Sequence, residues 1–139
     1  MKTIKILISF LLCVFITQIA EAKRYKAGKS PPSTKSKVTL RITYYSHDEP
    51  SADSDTKKFR SKIGEKLKYP DQNGGLYHVA VDRNIIPLGK KLRVEDPKSG
   101  KSFVALAVDT GGAVIRRIDV FSRGLKRVLP SENVNVYVL

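Results

Sequence analysis

The chain has 139 residues, with 26 Lys and Arg against 13 Asp and Glu, a net charge of +13, and a single cysteine. One cysteine excludes an internal disulfide framework and a cysteine-ligated metal centre. The basic balance favours polyanionic partners but names no reaction.

Met1 to Ala22 carries Lys2 and Lys5, an 11-residue apolar run from Ile6 to Ile16, and Ala20-Glu21-Ala22 as a small-x-small cleavage site. This is the pattern of a secretory signal peptide cut after Ala22, and the run is short of the ~20 residues of a permanent membrane helix. Cys13 is followed by Val14-Phe15-Ile16, not by the polar mature sequence that follows a lipid-attachment cysteine. The mature chain then has no thiol nucleophile, and without Lys2, Lys5 and Glu21 its charge is +12. From Lys23 to Lys37 there are six basic residues, no acid and the pair Pro31-Pro32. With no apolar periodicity to bury, 23–37 is predicted to be a disordered arm. For an exported protein such an arm suits an anionic membrane face or anionic cell-wall polymers better than nucleic acid.

Val38 to Leu139 is about 100 residues, one compact domain. Val38, Leu40 and Ile42 alternate with Thr39, Arg41 and Thr43 into Tyr44-Tyr45, a period-2 strand. Ser46 to Thr56 is a polar loop, and Ser54, Asp55 or Thr56 is placed to cap a short helix over Lys57 to Lys68, with Phe59, Ile63 and Leu67 on one face. Gly64 weakens that helix. Tyr69 to Gly75 is dense in turn formers, and Leu76 to Val81 is an apolar strand ending at Asp82. Pro87 places Ile85 to Gly89 at an edge or corner. Leu92 and Val94 form the next strand, Asp96 to Gly100 a turn, and Ser102 to Val108 a strand arriving at Asp109. Thr110-Gly111-Gly112 ends it; Ile118, Val120 and Phe121 bracket Asp119, and Val134, Val136 and Val138 make the last strand. Short strands separated by turn signals predict an all-β barrel or sandwich.

Strand-like runs thus deliver three carboxylates, Asp82, Asp109 and Asp119. The bland account is that Asp109 caps its own turn and Asp119 pairs with Arg116 or Arg117. The chemical account is an acid cluster in which one carboxylate keeps another protonated. Asp109-Thr110-Gly111 also matches the aspartic-protease signature, but only 30 residues follow Asp109, too few for the rest of that fold. His47 and His78 show no ligand spacing, so no metal or cofactor is expected.

Ala80-Val81-Asp82 with Ile86-Pro87-Leu88-Gly89, then Ala107-Val108-Asp109-Thr110-Gly111-Gly112-Ala113, then Arg117-Ile118-Asp119-Val120-Phe121, resemble in order the three-aspartate (3D) domain. Thr43-Tyr44-Tyr45 resembles its opening strand, and Ala52-Asp53-Ser54-Asp55-Thr56 a stretch that precedes the core in small secreted members. The resemblance implies a six-stranded double-psi β-barrel with at most one short helix, similar to the catalytic domain of membrane-bound lytic transglycosylase A and to small wall-lytic proteins. It further implies peptidoglycan glycan strands as substrate, cut non-hydrolytically at the MurNAc-β-1,4-GlcNAc bond to leave 1,6-anhydro ends. Asp119 would be acid and base, Asp109 its charge neighbour and Asp82 an orienting group, with Thr43, Tyr44, Thr110, Gly111 and Gly112 lining the groove. Expansins share the barrel without being lytic, so a non-catalytic wall-binding protein is the alternative. The sequence departs from the family's pattern at Arg83, where Pro is usual, and at Lys90, where Thr is usual. At Val114-Ile115-Arg116 the family has Ile-Lys-Gly and a further residue, so this loop is one residue short and lacks its glycine.

Overall fold

The computed structural model describes residues 35–139. The expected signal peptide at 1–22, Cys13 and the arm as far as residue 34 lie outside the described residues. Six strands form: β1 (Lys35–Tyr45), β2 (Tyr77–Val81), β3 (Lys91–Glu95), β4 (Ser102–Asp109), β5 (Arg117–Phe121) and β6 (Asn133–Val138). They close in the order β1-β5-β2-β4-β3-β6. The pairs β1/β5 and β2/β4 are parallel and the other four antiparallel. This is the six-stranded double-psi β-barrel that the resemblance implies. β1 begins at Lys35, before the expected start at Val38: Lys35 pairs with Val138 and Lys37 with Tyr137 across an irregularity between them. The backbone ladder therefore runs past the point where side-chain alternation stops, and the end of the expected arm is strand.

The interior follows from period-2 alternation. Leu40 and Ile42, Val79 and Val81, Leu92 and Val94, Ala105 and Ala107, Ile118 and Val120, and Val134 and Val136 all point into one core. Leu40 is 1% exposed, so Leu40→Ala would cost about 2–5 kcal/mol. A second, smaller core lies outside the barrel, where the excursion between β1 and β2 lays Phe59, Leu67 and Tyr69 on Tyr45, Leu106, Val108 and Phe121.

The helix expected over 57–68 does not form. Helix α1 (Ser54–Lys57) is one turn, capped by Asp53, whose carboxylate accepts from Thr56 N at 2.7 Å. Phe59 then turns left-handed at φ 55 and Gly64 at φ 82. The segment doubles back, with Leu67 N donating to Phe59 O at 2.8 Å. That curl buries Leu67 and half-buries Phe59 in the second core, while Ile63 stays 38% exposed. Burial of aromatic surface outweighs a helix that Gly64 already weakened.

At another corner Asp96 is fully buried. It accepts from Ser131 Oγ (2.7 Å), Lys98 N (2.8 Å), Ser131 N (3.3 Å) and Ser99 N (3.4 Å). Burial alone would raise its pKa; the hydrogen bonds overcome this and hold it at about 2. The carboxylate ties the β3–β4 turn to the segment entering β6.

Candidate active site

The carboxylate site is a row across four adjacent strands. Thr43 of β1 stands opposite Asp119 of β5, Asp119 opposite Ala80 of β2, and Ala80 opposite Asp109 of β4. Ile118 and Val120 point inward, so Asp119 between them faces out. Asp109 needs a further device. Ala107 is in the core and strict alternation would send Asp109 inward too, but Val79 pairs with Ala107 and Ala80 with Asp109. Val108 is the extra residue of a bulge, which re-aims the following carboxylate to the outer face. The methyl of Ala80 is all that stands between the two acids in the row.

Burial foremost pushes the Asp119 pKa up, to about 6, with Glu49 and Asp109 adding to the rise. The Thr43 hydroxyl and the Arg117 charge offset only part of it. Asp119 Oδ1 and Thr43 Oγ1 are buried and neither meets a partner in hydrogen-bonding geometry. Asp109 is raised too, by burial first, against the pull of the Thr110 and Lys62 backbone amides and the Lys62 ammonium. Its Oδ1 accepts from Thr110 N at 2.9 Å, so Asp109 does cap its own turn. Among the described residues the ion pairs are Lys62–Asp55, Arg93–Glu95 and Arg123–Asp71; Asp119 pairs with neither Arg116 nor Arg117.

Asp82 has a different place. Its Oδ2 accepts from Arg116 N and its Oδ1 from Asn84 N, both at 3.0 Å, and these bonds, the Arg116 amide foremost, lower its pKa. It stays ionised and clamps the loop between Asp109 and Asp119. Its second half, Val114-Ile115-Arg116, has no glycine, and Arg116 itself takes the left-handed conformation at φ 49, a strained choice for a side-chain-bearing residue. Val114 is buried, donating from its N to Gly111 O at 3.0 Å. Thr110 is half-buried and Gly111 and Gly112 are exposed at the rim beside Asp109.

The structure brings Asp109, Asp119 and Thr43 together and leaves Tyr44 elsewhere. Tyr44 packs on the barrel core, and its hydroxyl accepts from Val128 N and Leu129 N at 3.2 Å. The residue on the site's face is Tyr45, which the sequence reading passed over although alternation with Thr43 marks it. Its hydroxyl is buried without a partner, and its pKa is pushed up by burial first, then by Asp109, Asp119 and Asp53. Buried polar atoms left unpaired are rare in folded proteins, and here Thr43, Tyr45 and Asp119 supply three of them around one row. Glu49, Asp53 and Lys62, also unforeseen, come from the excursion between β1 and β2. His78 is satisfied in its strand, with Lys68 N donating to Nδ1 at 3.2 Å. Among the described residues no three His, Cys, Asp or Glu side chains are grouped as metal ligands.

Residues 77–139 match the family model described as 3D domain, a span that holds all three acids and leaves β1 and the excursion outside it. Among solved structures the chain is similar to cerato-platanin 3 from M. perniciosa, with a TM-score of 0.44 at 16% identity over 73% of this chain and 94% of that one. No curated protein sequence matches it.

Proposed function

We propose that the chain, whose residues 77–139 match the 3D domain model, is a secreted lytic transglycosylase of peptidoglycan. The observation that carries this reading is Asp119, a half-buried carboxyl that lies in one row with Thr43 and Asp109 and is raised to about 6, by burial first. Such a group is protonated often enough near neutral pH to donate, and basic enough to take a proton back.

The reaction runs in two proton transfers through one residue. Asp119 protonates the glycosidic oxygen, GlcNAc O4, as its bond to MurNAc C1 breaks. The Asp109 carboxylate steadies the oxocarbenium-like sugar. The ionised Asp119 then takes the proton of the muramyl C6 hydroxyl, whose oxygen bonds to C1 and closes the 1,6-anhydro ring. No water is consumed, and the net change is one proton moved from O6 to O4. Asp82 is a positioning residue, holding the loop that leads into β5. Thr43 and Tyr45 offer their unpaired hydroxyls to the glycan. The basic residues at 23–37 add attraction to the anionic wall after cleavage behind Ala22.

Mass spectrometry of fragments released from purified peptidoglycan tests the reading. The expected products end in 1,6-anhydromuramic acid, the rate falls as pH rises through about 6, and Asp119→Asn lowers it by ~10²–10⁴. Reducing muramic ends, or full activity in Asp119→Asn, would overturn it. A wild type that binds glycan and never cleaves is instead a wall-binding protein on the same barrel.

A further inference from the structure

Beyond Asp119 and the end of β5, the chain passes through Ser122 into a 3-10 turn at Arg123–Leu125, and there it opens a second site. A cleft of about 350 Å³ is lined by Tyr69, Pro70, Asp71, Tyr77, Ser122, Arg123, Lys126, Arg127 and Val128. Three of these are cations and one is an acid. The acid, Asp71, is engaged by Arg123 at 3.3 Å in an exposed pair, the kind worth at most about 1 kcal/mol and readily displaced. Among the described residues neither Lys126 nor Arg127 pairs with a carboxylate. The walls are apolar and aromatic, so the cleft offers a positive end and an apolar body together.

One cation and the backbone that carries the others are held in place. The Arg123 guanidinium sits 4.3 Å over the Tyr69 ring, which stacks on Phe121 at 4.6 Å. Buried Ser122 donates from Oγ to Lys126 O at 2.8 Å. Between them Gly124 and Leu125 are both left-handed, at φ 58 and 59. Leu125 is 42% exposed, so no burial of its own side chain compensates that strain. Strain of this kind persists where surrounding bonds over-determine it, and it concentrates at ligand clamps.

Position says what the ligand is. Arg123 lies four residues past Asp119, roughly 13 Å along the strand direction at the usual rise. Resting on the transglycosylase reading, a glycan bound across Asp119 carries peptide stems on its muramyl units, and such a stem spans that distance with a few extended residues. We propose that this cleft binds the acidic peptide stem of peptidoglycan through its free carboxylates, so that the protein favours stem-bearing glycan over bare glycan.

The test separates this site from the chemistry. Calorimetric titration of the full mature chain at low salt uses a synthetic stem peptide with free carboxylates, its amidated counterpart, and inorganic phosphate. The acidic peptide is expected to bind, the amidated one to bind at least roughly tenfold more weakly, and Lys126→Glu to lose roughly tenfold or more, as loss of a charge-assisted contact implies. Arg123→Ala is a second, milder variant with the same expected direction. Because Lys126 is exposed and outside the carboxylate row, Lys126→Glu should still cleave bare glycan as the wild type does. Equal binding of the amidated peptide, no binding of the acidic one, or binding of phosphate in its stead would overturn the proposal. These titrations read the same way whether or not the wild type cleaves glycan, so failure of the transglycosylase reading is seen separately in the fragment assay.

Discussion

Replacing Asp119 with Asn should make the protein more stable at neutral pH while disabling it. Raising the Asp119 pKa from 3.8 to about 6 means, at about 1.4 kcal/mol per pH unit, that the fold penalises the ionised carboxylate by about 3 kcal/mol. The folded state binds its proton more tightly than the unfolded chain between those two values, so stability falls as pH rises through this window and the full penalty stands above about 6. Asn removes that titration. Its amide carries a constant cost of its own, reduced by the unpaired Thr43 Oγ1 and Tyr45 hydroxyl, and a constant cost cancels when two pH values are compared. Denaturant unfolding of wild type and variant at about pH 4 and about pH 7.5 should therefore show a difference that shifts by about 2–3 kcal/mol in favour of the variant at the higher pH. For a domain of about 100 residues this is on the order of 10 °C in Tm. A difference that stays constant with pH would mean the carboxylate is not penalised by burial, and the proton-donor role would lose its physical basis.

Arg116→Gly should stabilise by about 0.5–1 kcal/mol, because relief of the left-handed strain at φ 49 exceeds the added entropy of glycine in the unfolded chain; a lower denaturation midpoint would contradict this. Asp82→Ala should leave the Asp119 burial intact but free the Arg116 amide, lowering kcat more than it raises KM. Tyr45→Phe removes a buried hydroxyl that has no partner, so Tm should hold or rise by the equivalent of about 1 kcal/mol, while glycan affinity falls. Asp96, held at about 2, contributes stability above the unfolded carboxylate range that is lost as pH falls towards 2; acid-unfolding curves of Asp96→Asn should lose that limb.

Side-chain alternation made the strands legible, since Leu40 and Ile42, Val79 and Val81, and Val134 and Val136 repeat at period 2 and all point into the barrel. The acids were legible because each ends or interrupts an apolar run. What alternation could not supply is the Val108 bulge: a one-residue register shift has no composition, yet without it Asp109 would face the core. The curl at 58–67 was hidden for a related reason. Phe59 and Leu67 fit a helical face by spacing, and only contact with Val108 and Phe121, distant in sequence, selects the left-handed turn at Phe59. Asp82 was legible as an acid but not as a clamp, because its partner is a backbone amide 34 residues away.

Closure of the ring has a kinetic side. β6 stands between β1 and β3, and Thr39 meets Asn135 across 96 residues of chain. Until that closing strand is available β1 and β3 each keep an open edge, and most of the pairing that stabilises the barrel joins segments far apart in sequence. Such a topology folds slowly, because loop-closure entropy must be overcome before distant contacts reward it. Under the export proposed above, such slowness would be protective: a partly emerged chain has no stable barrel to collapse into, and folding would wait until the final strand had passed through.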